Sequence, residues 1–207
     1  MKITKQWLEE KDACSPGVDW ALAQDTDDAA ELLLRLSTYR PEWMRWLMVR
    51  LATTEQNQKI AVFSARLALP IWEDKCPDDK RPRLVIESAE RCIADPTREN
   101  KETVKAAVGS ACAIYSPRTN YSAGYSALEN YAPDNAAYAA ASAIKAVVDT
   151  AYAVTAASKA AAYATYATAD DTNKTTEQIC EYVITLLGLG ECQPLSANKK
   201  GESYGTA

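Results

Sequence analysis

Alanine dominates one long stretch of this chain. The 64 positions from Ala106 to Ala169 hold 24 alanines and only six charged residues, Arg118, Glu129, Asp134, Lys145, Asp149 and Lys159. Alanine has the highest helix propensity of any residue and gives up no side-chain entropy on ordering, so such a stretch favours helix strongly. Its single methyl also lets neighbouring backbones approach closely. A face of methyl groups contributes little burial energy by itself, which favours wedging the helix between others. The segment from Ala136 to Ala169 is therefore expected at the centre of a bundle or against a partner.

A row of period seven runs through the same stretch: Tyr131, Tyr138, Lys145, Tyr152, Lys159 and Tyr166. Tyr and Lys both have long amphipathic side chains that cover apolar surface while their tips reach water. The row reads first as the edge of a helix packing seam and second as a tyrosine-lined face for a partner.

The first 105 residues differ, carrying 36 charged groups against 15 in the last 102. They read as a string of short helices. Thr4 can cap a turn with Trp7 and Leu8, and Ser15-Pro16 can open a helix presenting Val18, Trp20 and Leu22. Thr26 begins one with Leu32, Leu33 and Leu36. Pro41 starts another with Trp43, Trp46, Leu47 and Leu51 inward. Thr54 starts a longer one with Ile60, Phe63, Leu67 and Ile71 in phase, which Pro70 should kink or break. Four of the five tryptophans fall on these apolar faces, so core and inter-helix packing is the first reading and a ligand cage the second.

After a polar turn at Cys76 to Arg81, Pro82 opens a helix with Val85, Ile86, Ala89, Cys92 and Ile93 inward, ended by Asp95-Pro96. From Val104 a clean amphipathic stripe runs through Ala107, Val108, Ala111, Cys112 and Tyr115. Near the C-terminus Thr175 and Gln178 offer a capping box, and Gly188 a stop. The fold expected is all-α: a multi-helix bundle of short N-terminal helices and longer Ala-rich C-terminal helices. Residues 1–192 form one helical domain in this reading, with 1–105 a Trp-rich scaffold, 106–192 Ala/Tyr-rich helices and 193–207 a mobile tail.

Composition narrows the chemistry. The chain has no histidine, which removes Ser-His-Asp and Cys-His nucleophiles, His-ligated zinc and a His general base. The net charge is -5 with no basic segment, so nucleic-acid binding is not expected. The six cysteines, Cys14, Cys76, Cys92, Cys112, Cys180 and Cys192, include no C-x-x-C pair. Seven glycines form neither a P-loop nor G-x-G-x-x-G, and nothing resembles a signal peptide or a membrane span. The expectation is a cytoplasmic protein without cofactor, metal or membrane contact. A catalyst working through a carboxylate pair is the enzymatic alternative, weakened because no acidic pair lies in an apolar stretch.

Two segments carry candidate binding residues. Residues 115 to 131, YSPRTNYSAGYSALENY, hold four Tyr, three Ser, two Asn and one Gly, the mixture of adaptable protein-binding loops. Tyr121, Tyr125 and Tyr131 are its candidates, against a short helix with one tyrosine face packed down. The turn Asp78, Asp79, Arg81, Pro82, Arg83 offers guanidinium groups to a partner's carboxylates. Its competing reading is a structural latch in which the two aspartates take helix-start amides and pair with Arg81 or Arg83.

Three stretches carry a family resemblance: ITKQWLEEKDACSPGVDW, ALPIWEDKCPDDKRPRLVIESAER and the Ala/Tyr-rich segment after residue 106. Together they resemble an all-helical immunity protein family, Imm5-like, of bacterial polymorphic toxin loci and phage genomes. The middle stretch is the most specific, through Leu-Pro-Ile-Trp-Glu, Pro-Asp-Asp-x-Arg-Pro-Arg and Ile-Glu-x-Ala. The resemblance implies a non-enzymatic inhibitor that binds a protein partner, a toxin or other effector. A phage-encoded anti-defence protein, such as an anti-CRISPR acting on a subunit of a host defence complex, is the alternative with the same binding-only design. The weakly charged Ala-rich helices leave homo-oligomerisation open.

Overall fold

The computed structural model describes residues 1–115, 132–168 and 171–190, and among them the chain is all-α. Ten helices follow in order: α1 (Lys5–Glu10), α2 (Ser15–Leu22), α3 (Ala29–Tyr39), α4 (Pro41–Leu51), α5 (Thr54–Lys75), α6 (Arg81–Ala94), α7 (Arg98–Tyr115), α8 (Ala132–Val148), α9 (Ala153–Ala167) and α10 (Thr172–Leu186). A 3-10 turn at Thr150–Tyr152 joins α8 to α9. The tail at 193–207 lies outside the described residues, as do the loop tyrosines Tyr121, Tyr125 and Tyr131.

Helices α5, α8 and α9 pack on one another as the central layer. Their contact faces are Ala139, Ala140, Ala143 and Ala146 on α8, Ala156, Ala157, Ala160, Ala161 and Ala164 on α9, and Ala61, Ala65 and Ala68 on α5, all with almost no exposed surface. The Ala-rich stretch is thus central, as its side-chain size predicts, but it is a hairpin and not one long rod. Helices α6 and α7 cover one side of the layer, while α3, α4 and α10 lie along the other.

The turn changes the meaning of the seven-residue row. Asp149 caps the 3-10 turn by accepting from Ala151 N at 3.1 Å. The chain reverses there, so Lys145 and Lys159 converge on Tyr152 from two helices. Their Nζ atoms lie 5.9 and 5.6 Å from its ring centre, and Lys159 Nζ donates to its hydroxyl at 2.9 Å. Tyr138 and Tyr163 meet across the same hairpin at 5.1 Å.

Several helix ends follow the sequence and others do not. Thr4 caps α1, and Thr53 with Gln56 forms a full capping box at α5. Asp28, not Thr26, caps α3 by accepting from Ala30 N and Glu31 N, because the helix begins at Ala29, and Thr26 Oγ1 accepts from Asp28 N instead. Helix α10 starts one turn before Thr175, which is buried inside it. It stops at Gly188, whose φ of +63° closes the helix with Leu189 N donating to Ile184 O and Gly188 N to Thr185 O. Helix α5 runs through Pro70 unbroken. Proline there removes one backbone hydrogen bond, and burial of Leu69 and Trp72 on either side offsets that loss.

Candidate functional site

The turn between α5 and α6 is a latch. Asp79 Oδ1 accepts from the Arg81 amide at 3.1 Å and from Arg81 Nε at 2.8 Å, while Oδ2 takes Arg81 Nη2 at 2.5 Å. The buried Trp72 donates Nε1 to the Asp79 carbonyl at 2.9 Å, pinning the turn to α5. Arg83 pairs with neither aspartate. It turns back to α5, where Glu73 receives Nε and Nη2 at 2.6 Å each, and Glu87 on α6 lies 3.7 Å away. The Arg83 guanidinium holds the Glu73 carboxyl below the usual carboxylate range. Asp78 is exposed and takes no part in the latch. Arg66 and Glu90 form a second bidentate pair between α5 and α6, at 2.7 and 2.6 Å.

A different aromatic surface stands where α2, α3 and α4 meet. Helix α4 has a wide apolar arc, with Trp43, Met44, Trp46, Leu47, Met48, Val49 and Leu51 among 11 residues, and Glu42, Arg45 and Arg50 on the remaining side. One bundle face cannot bury all of these. The core takes Met44, Leu47, Met48 and Val49, leaving Trp43 and Trp46 half-buried on the flank toward α1 and α2. Trp20 of α2 stacks on Tyr39 at 6.0 Å and 13° and meets Trp43 edge-on at 6.4 Å. The Arg40 guanidinium lies 5.6 Å from the Tyr39 ring and 5.5 Å from that of Trp43. Tyr39 remains 57% exposed and Leu22, expected to face inward, 52%. Arg35 secures the α2–α3 connection, reaching Gln24 at 3.0 Å, Asp25 at 2.7 Å and Glu31 at 2.6 Å.

Beneath this surface is a cavity of about 300 Å³. Its buried floor is Ile3, Leu8, Leu32, Leu36 and Leu47, and three indoles, Trp20, Trp43 and Trp46, line it. Asp12 and Glu42 are exposed at its rim. The end of α1 sets Asp12 there: Asp12 adopts φ +56° while its amide reaches Glu9 O and the Ala13 amide reaches Leu8 O. That is the left-handed helix stop, which short polar Asp tolerates better than most residues. Arg50 fastens α1 to α4 by donating Nε to Lys11 O at 3.2 Å and lying 4.2 Å over the Trp46 ring. Trp7 closes against Trp46 edge-on at 6.5 Å.

Tyr39, Arg40 and the cavity were not singled out by pattern. The signal that carries them is the surplus of apolar positions in α4, directly after the Tyr39-Arg40-Pro41 junction. Among the described residues no group of three or more Cys, Asp or Glu is placed to hold a metal ion, and no helix is long and apolar enough to cross a membrane. Compared with family models, curated proteins and solved structures, the chain matches none.

Proposed function

We propose that this protein is a non-enzymatic inhibitor of the immunity type, which acts in the cytoplasm by binding a protein effector on the α2–α3–α4 aromatic surface. The observation that carries the reading is the Trp20, Tyr39, Arg40, Trp43 cluster, in which Tyr39 and Arg40 are exposed and the two indoles beneath them half-buried. Tyr, Trp and Arg dominate the energetics of protein interfaces: Tyr and Trp cover a large area at little conformational cost, and Arg adds a planar charged group that stacks and donates. The α5–α6 turn takes the structural role, its arginines already committed to Asp79 and Glu73.

Affinity capture from the native host tests this, using the wild-type chain beside a Tyr39→Ser, Arg40→Ala double variant and quantitative mass spectrometry. The expected result is a protein enriched on the wild type and at least about tenfold depleted on the variant, with both chains melting at the same temperature. Equal capture by both would place the interface elsewhere. Expressed alone, the captured protein should arrest growth, and co-expression with this chain should restore it; capture of a defence-complex subunit without toxicity would favour the anti-defence role.

A further inference from the structure

The cavity under the aromatic surface has its own chemistry. Protein interiors are close-packed, and a space of about 300 Å³ among four helices is at the small end of ligand pockets. Gly17, Ala13 and Ala21 are among the residues lining it, so larger side chains at any of them would reduce it. Apolar groups dominate the lining. Among the described residues, the charged side chains that line it are the carboxylates Asp12 and Glu42. Glu42 accepts from Arg40 Nη1 at 3.4 Å and interacts with Arg45 as well, and Asp12 interacts with Arg50. Arg40 and Arg50, which stack on Trp43 and Trp46, do not line the cavity.

We infer that this cavity is a binding site for an organic cation, an ammonium group attached to a hydrocarbon body. Indole has the strongest cation-binding face of the aromatic side chains, and grouped aromatics are a recurrent way of holding alkylated ammonium groups. Trp20, Trp43 and Trp46 border one space, Trp20 and Trp43 meeting edge-on at 67°, and the two carboxylates are the acidic groups at its mouth. The hydrocarbon body would cover Leu8, Leu36 and Leu47. The site stands apart from the protein-partner reading, since a free ligand would need no macromolecule on the surface above. An ammonium carried on a partner's lysine has the same chemistry.

The test titrates the full chain with benzyltrimethylammonium and with its uncharged carbon isostere, neopentylbenzene, following tryptophan fluorescence and the indole N–H resonances. The cation is expected to bind about tenfold more tightly than the isostere. In an Asp12→Asn, Glu42→Gln variant that preference should fall below about threefold; Asn keeps the left-handed residue that the α1 stop requires. Ala21→Phe, which fills the cavity, should abolish binding while the melting temperature holds or rises. A second arm compares a trimethyl-lysine peptide with its norleucine counterpart, and tighter binding there than of the free cation makes a partner side chain the source. Equal affinity for cation and isostere, no indole response in either arm, or a preference unchanged in the carboxylate variant would each overturn the assignment.

Discussion

One nitrogen of Trp72 holds the α5–α6 turn. Its Nε1 donates to the Asp79 carbonyl from a nearly buried ring, so Trp72→Phe leaves that carbonyl without its donor and should cost about 1–3 kcal/mol. Thermal unfolding should register this as a fall of several degrees, and an unchanged melting temperature would mean the bond contributes nothing. Glu73 adds a pH signature. Arg83 lowers its pKa in the folded state, so the contribution is present above the ordinary glutamate value of 4.5 and is lost as pH falls through the lower folded value. Glu73→Gln should be less stable than wild type at pH 7, and the gap should close as pH falls from the ordinary glutamate value through the lower folded one. A constant gap would contradict the pairing. The Asp79–Arg81 pair was legible as one of four aspartate–arginine pairings that the turn allowed. Glu73–Arg83 was not, because ten residues of turn geometry decide it.

At the scale of elements, close approach of α5, α8 and α9 depends on alanine. Ala143 has no exposed surface, so Ala143→Leu forces added volume into a filled seam and should cost about 1–3 kcal/mol, lowering the melting temperature by about 2–10 °C. A neutral or stabilising result would mean that the seam is looser than drawn here. Gly188→Ala tests the end of α10: no atom stands within 4 Å of an added Cβ, so only the left-handed backbone opposes it, at about 1 kcal/mol. Helical type and the Ala-rich centre were visible in sequence because propensity and period are local. The hairpin was hidden because the seven-residue row continues across it, although Asp149-Thr150 is a capping signal. The shift of the α4 core face from Trp43 and Trp46 to Met44 and Met48 has a local cause: Glu42, Arg45 and Arg50 fall on one side of the helix, and Trp46 shares that side while Trp43 borders it.

Across the whole molecule, α5, α8 and α9 make the packed centre, and the first four helices build the aromatic surface and its cavity on one flank. The all-α class followed from helical period and propensity along the chain. The site did not, because Trp20 and Trp43 are brought together only by the packing of α2 against α4. Leu84 on α6 is as exposed as Tyr39, both at 57%, yet lies on the helix pair that covers the other side of the central layer. Site-specific photocrosslinking in the native host uses that contrast, with a benzophenone side chain replacing Tyr39 in one chain and Leu84 in another. The account predicts a discrete protein adduct from position 39 and none from position 84. An adduct from position 84 with none from position 39 would contradict it.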